Sequence, residues 1–136
     1  MAHTHVQYLA DTRYRTTVKY VGNGVANTNV NSLDVSTLQG FQTGGIVNIA
    51  KIFWKTSGPS GGVDLIWDAT SNVIAFICEG TGGTYGFMPG QPSISNNAAA
   101  ANLTGDVLIT NASATFTLVV EYHKVPLASG LGWSVV

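Results

Sequence analysis

A two-residue hydrophobic period, repeated along nearly the whole chain, is the feature that most limits what this sequence can fold into. From Thr12 to Val21, Tyr14, Val18 and Tyr20 fall on one side of an extended segment, while Arg13, Arg15 and Lys19 fall on the other. Such alternation marks a strand with one covered face. The pattern weakens over Val25 to Val35, where Leu33 and Val35 are the apolar anchors, and returns in Ile46 to Thr56 and Val63 to Asp68. Val73 to Cys78 is an almost continuous apolar run, which predicts a strand covered on both faces. Gly105 to Thr110 and Ala114 to His123 flank Asn111-Ala112-Ser113, and this arrangement predicts a hairpin. No 3.6-residue period of useful length is present, although Asn97 to Leu103, with Ala98 to Ala101 inside it, could form one or two helical turns. About seven to eight short strands divided by Gly and Asn turns predict an all-β fold, a single β-sandwich or jelly roll of mainly antiparallel strands.

One register satisfies both charge and burial across Ser57-Gly58-Pro59-Ser60-Gly61-Gly62. Placing Lys55 opposite Asp64 also places Phe53 opposite Ile66 and Lys51 opposite Asp68, with Ile52, Trp54, Leu65 and Trp67 on the other face. A slip by one residue would set lysines against apolar side chains and split the aromatic cluster. This hairpin is therefore expected, with Trp54 and Trp67 in the core.

At 136 residues and 14.2 kDa the chain is one domain, large enough to bury a core without disulfides. The single cysteine, Cys78, forms none within the chain and lies in an apolar run, where a packed, inert thiol is expected. Only 10% of residues are charged and the net charge is -1, which gives no electrostatic case for nucleic acid or an anionic membrane. Asn, Ser, Thr and Gly replace the missing charge, and a neutral polar surface is buried against a neighbour at little desolvation cost. That composition favours a component of an assembly, with copies of itself among its partners.

No apolar run reaches the roughly 18 residues of a membrane span, and Met1 to Val6 has neither the basic region nor the apolar core of a secretory signal. The expectation is neither export nor membrane insertion. Beyond Met88, Pro89, Gly90 and Pro92 punctuate a long stretch without strand character that ends near Thr104; loops of that length bind something or cover an edge. Residues 1–124 are read as the sandwich and 125–136 as an apolar, glycine-containing tail or arm. Within that tail Leu131 and Trp133 either dock onto the chain's own sandwich or reach a neighbouring subunit.

A search for chemistry yields no catalytic set. His123 and Glu121 share the outward side of the last strand and read as a solvent-facing pair, and His3 and His5 lack further ligands that would make a metal site. Asp11, Asp34, Glu79 and Asp106 have no metal-loop spacing, and Asp64 and Asp68 are spoken for by lysines in the register above. Gly80 to Gly86 is glycine-rich without the lysine and helix of a phosphate loop, and reads as a flexible turn. Two sequons, at Asn102 and Asn111, read as chance in an Asn- and Thr-rich chain. The expectation is a protein with no catalytic residue, cofactor or metal. The candidate interface residues are Arg13, Arg15 and Lys19 as a docking contact, Tyr85 as a sugar-stacking ring beside Trp54 and Trp67, and Leu131 and Trp133 in the tail.

Several segments together resemble the small virion structural proteins of tailed bacteriophages, especially those of aquatic bacteria. They are Thr17-Val18-Lys19-Tyr20-Val21-Gly22, Leu33-Asp34-Val35-Ser36, the Trp54 strand, Val63 to Thr70, Gly105 to Thr110 and Ala114 to Tyr122. The resemblance implies a non-enzymatic shell component such as a head decoration or cement protein, bound to the major capsid protein on the capsid surface after assembly in the host cytoplasm. The alternative is a carbohydrate-binding sandwich of a phage tail or fibre, or a lectin-like domain, using Tyr85.

Overall fold

The computed structural model describes residues 4–42, 44–57, 62–98, 104–112, 115–125 and 133. Its strands, in chain order, are β1 (Thr4–Asp11), β2 (Arg15–Asn23), β3 (Asn27–Leu33), β4 (Ile46–Thr56), β5 (Val63–Trp67), β6 (Val73–Cys78), β7 (Gly82–Tyr85), β8 (Val107–Asn111) and β9 (Thr115–Val125). They form two antiparallel sheets, one of five strands in the order β1-β2-β9-β4-β7 and one of four in the order β3-β8-β5-β6. This is the expected β-sandwich, with nine strands among the described residues.

Alternation along each strand builds the core between the sheets. Val18, Tyr20, Ile52, Leu118 and Val120 point in from the five-stranded sheet, and Leu33, Leu65, Trp67, Val107 and Ile109 from the four-stranded one. Each large side chain taken fully from water contributes about 1.5–3 kcal/mol. Of the three residues read as the covered face of the first alternating segment, Val18 and Tyr20 are fully buried, but Tyr14 precedes β2 and is 64% exposed. Thr16 takes the buried place instead, its hydroxyl donating to Asp11 at 2.9 Å.

The two expected hairpins are not hairpins. β4 pairs with β9 and β7, so Lys55 faces Thr117 and Gly82, Phe53 faces Val119 and Thr84, and Lys51 faces Glu121. β5 lies in the other sheet, where Asp64 faces Ile77 and Thr110, and Ile66 faces Ile74 and Leu108. The Lys55–Asp64 and Lys51–Asp68 pairs therefore do not form. Their parity was nonetheless right: Ile52, Leu65 and Trp67 are core, with Trp54 packed against it. Facing strands of a sandwich bury the same alternate residues that hairpin neighbours would, so the local pattern cannot separate the two arrangements. The chain likewise leaves the four-stranded sheet at Asn111 and enters the five-stranded one at Thr115. Asn111 fixes this corner, accepting from the Asn27 amide at 2.8 Å and donating to the Val25 and Ala112 carbonyls.

One strand lies outside the segments read from alternation, and two further expectations are corrected. The start of the chain supplies an edge strand, with β1 paired along β2 and His5 opposite Val21, while His3 lies outside the described residues. Val73 to Cys78 is covered on one face only: as edge strand β6 it turns Val73, Phe76 and Cys78 inward and leaves Ile74 and Ile77 exposed. Gly80 to Gly86 contains β7, which runs along β4 because Gly83 has no side chain, a Cβ there colliding with the Trp54 ring. The long segment after Met88 covers an edge, Ile94 and Ile49 exchanging backbone hydrogen bonds beyond the end of β7. Of its expected helical turns, only 97–98 are described, and these are not helical.

Candidate functional site

The outward sides of the two sheets are the candidate interaction surfaces. On the five-stranded sheet, β9 separates Arg15, Lys19 and Val21 of β2 from Lys51, Phe53 and Lys55 of β4. Cross-strand register puts Lys19, Val119 and Phe53 in one row and Val21, Thr117 and Lys55 in the next. Phe53, 42% exposed, is thus an apolar centre with a cation on each side of it along β4, and a shallow groove beside it is lined by Val21, Lys55 and Thr117. Nearby, the Lys51 ammonium lies 5.4 Å from the centre of the exposed Phe87 ring.

The outward side of the four-stranded sheet has a different composition. Leu108, Ile66 and Ile74 stand in one row, with Thr110, Asp64 and Ile77 in the next. Leu108 and Ile66 are almost wholly covered, whereas Ile74 is 53% exposed at the edge. Acids surround this apolar patch. Asp64 is held above the usual carboxylate range by burial first and by nearby Glu79 second. Asp106 is also held up, burial outweighing the hydrogen bonds it accepts from the Val35 N–H and Asn31, with Asp34 and Asp68 adding repulsion.

Charge is therefore sorted by sheet. All six Lys and Arg residues lie in the five-stranded sheet or the turn between β1 and β2, where Asp11 and Glu121 are the only acids. Six cations against two acids leave +4 on that side. The remaining five acids, Asp34, Asp64, Asp68, Glu79 and Asp106, lie on the four-stranded sheet or at its strand ends without a cation, leaving -5.

One cation is buried rather than displayed. The Lys124 side chain, 1% exposed, donates to Asp11 at 2.7 Å and to the carbonyls of Thr12 and Gln39, and lies 5.1 Å from the centre of the Trp133 ring. Burial pushes the Asp11 carboxyl up, but hydrogen bonds from Lys124, the Gln39 N–H and Thr16 together hold it below the usual range. A buried ammonium with this many partners ties the β1–β2 turn, the segment after the 3-10 turn Val35–Thr37, and β9 to one point.

The expected interface residues divide accordingly. Arg15 and Lys19 lie on the basic outer face, Arg15 reaching Glu121 at 3.8 Å, while Arg13 stacks near the Tyr14 ring in the adjoining turn. Trp133 takes the internal one of its two alternatives: it is core, edge-on to Phe41, with its indole N–H donating to the Ile46 carbonyl at 2.9 Å. Leu131 lies outside the described residues, as does most of 125–136. Tyr85 points inward onto Phe76, its hydroxyl donating to the Pro92 carbonyl, and Trp54 meets the same Phe76 edge-on. These three rings form a tilted cluster at the sandwich edge instead of a flat sugar platform, and Trp67 is fully buried.

Reading the residues alone missed Lys51, Phe53 and Lys55 as partners of the β2 cations, because the hairpin register had assigned the lysines to aspartates. It missed Ile74 and Ile77 because an apolar run does not reveal which side is uncovered. Elsewhere the reading stands: His123 meets Glu121 at 3.0 Å on the surface, and the Cys78 thiol is fully buried and pushed up to about 12 by burial and then by Asp64. Asn111 of the second sequon is buried in its corner. Among the described residues no group of three His, Cys, Asp or Glu is placed to hold a metal. Comparison with known proteins finds no family model, no curated protein and no solved structure that matches this chain.

Proposed function

We propose that the chain is a non-enzymatic virion structural protein of a tailed phage, a decoration or cement protein that binds the head exterior and strengthens contacts between capsid subunits. The observation that carries this reading is that both sheets expose apolar side chains outward, Phe53 amid the five-stranded sheet and Ile74 and Ile77 along the edge strand of the other, on a chain with little charge to desolvate. A monomer working alone in water gains nothing from exposing Phe53, Ile74 and Ile77 on flat β surfaces, whereas a shell component buries them against neighbours. The resemblance of its strand segments to small phage virion proteins supports the placement on a capsid. Many copies on one shell convert modest contacts into strong retention.

The test is mass spectrometry and immunogold labelling of phage particles purified from the organism that encodes the chain. Peptides in stoichiometric amount with label over heads support the reading. Absence from particles overturns it, and specific glycan binding with label over tail fibres would transfer the protein to the carbohydrate-binding alternative.

A further inference from the structure

The two outer faces match each other. One has Phe53 and Val119 at its centre with Lys19, Lys51 and Lys55 around them, and the other exposes Ile74 and Ile77 along its edge strand β6, with Asp64 beside them and further acids at its margins. Charges of opposite sign thus flank exposed apolar side chains on opposite sides of the same sandwich. We infer that this protein associates with itself head to tail, the basic face of one copy stacking on the acidic face of the next.

Phe53 on one copy can meet Ile74 and Ile77 on the next while the lysines beside Phe53 reach the carboxylates near β6. The reverse combinations are disfavoured, since two basic faces or two acidic faces would bring like charges together. A contact between different faces leaves one face free at each end of every pair, so the stack either continues or closes into a ring. The four-stranded face is small, roughly 20 Å on each side from strand spacing and rise. Association is therefore at the weak end of specific interfaces and is read best at high protein concentration. The contact extends the structural reading above but stands on the two faces alone, so loss of one leaves the other open.

Sedimentation of the full chain over a range of concentrations tests it. The average mass should rise with concentration, and the dissociation constant should increase at least about tenfold between about 0.05 M and about 0.5 M NaCl, where screening removes rim attraction. Phe53→Glu and Ile74→Glu each put a carboxylate among the exposed apolar side chains of one face, at positions where the fold has little to lose. Each variant alone should be monomeric, and an equimolar mixture should form a two-copy species and nothing larger, because one intact face of each kind remains. A wild-type chain that stays monomeric at low salt overturns the inference, whatever the virion experiment shows. So does a single variant that still dimerises, which would mean that like faces pair. If a variant has lost its β circular dichroism, Lys55→Glu replaces Phe53→Glu and Ile77→Glu replaces Ile74→Glu, and the salt dependence of the wild type is independent of all four.

Discussion

The opposite ends of β9 close the sandwich with different chemistry. At the Thr115 end the sheet-switching corner is held by neutral amides, Asn111 bonded to Asn27 and to the Val25 carbonyl. At the other end Lys124 is buried with Asp11, two backbone carbonyls and the Trp133 ring. An amide pair costs little to desolvate and is indifferent to pH. A buried ammonium costs far more to desolvate, repays it only with every partner in place, and makes that end depend on the ionisation of Asp11.

Substitution at the charged end should have the largest effect. Lys124→Ala leaves the Asp11 carboxylate and two carbonyls without their donor, and should cost about 3–5 kcal/mol in urea unfolding. Asn111→Ala at the neutral end should cost less, about 1–3 kcal/mol by the same measurement. Equal losses at the two ends would erase the contrast. Between the ends, the Tyr20 and Tyr122 hydroxyls meet at 2.9 Å in full burial, and Tyr122→Phe should also cost about 1–3 kcal/mol in thermal unfolding.

Acid titration sharpens the comparison without a mutation. Asp11 is held low in the fold, so its contribution is complete above the ordinary carboxylate range near about 4 and is lost as pH falls through its folded value. Asp64 and Asp106 are held high, so their protonation favours the fold and stability should first rise as pH drops from neutral towards their folded values. Unfolding free energy against pH should therefore pass through a mildly acidic maximum and then fall. Lys124→Ala should flatten the acid-side fall, while Asn111→Ala should retain it. The smallest effect belongs to the surface: Arg15→Ala removes an exposed 3.8 Å contact with Glu121 and should change stability by less than about 1 kcal/mol.

Much of the candidate site was legible from residue type and spacing. Arg15 and Lys19 stood out as a basic strand side, and Lys51, Phe53 and Lys55 were correctly read as facing away from Trp54 and Ile52. What was not legible was that these two sets share one surface. They are brought together by β9, more than sixty residues along the chain from the lysines of β4, and no local rule encodes that strand's position. The Lys124 site was hidden for the same reason: its parity on β9 is inward, yet a lysine at an inward position reads as an error until Asp11 is known to lie beside it.

By itself the sequence determined the all-β class, which side of most strands is buried, and the burial of Cys78, because alternation is a property of the backbone at each residue. Only the tertiary structure decided which strands pair, that the segments around Ser57 and Asn111 cross between sheets, and that opposite charges collect on opposite faces. Hairpin partners and partners across a sandwich bury the same alternate side chains, so parity is the same for both. The choice falls to the whole set of strands, where β4 gains an eleven-residue neighbour in β9 that β5, five residues long, could not supply.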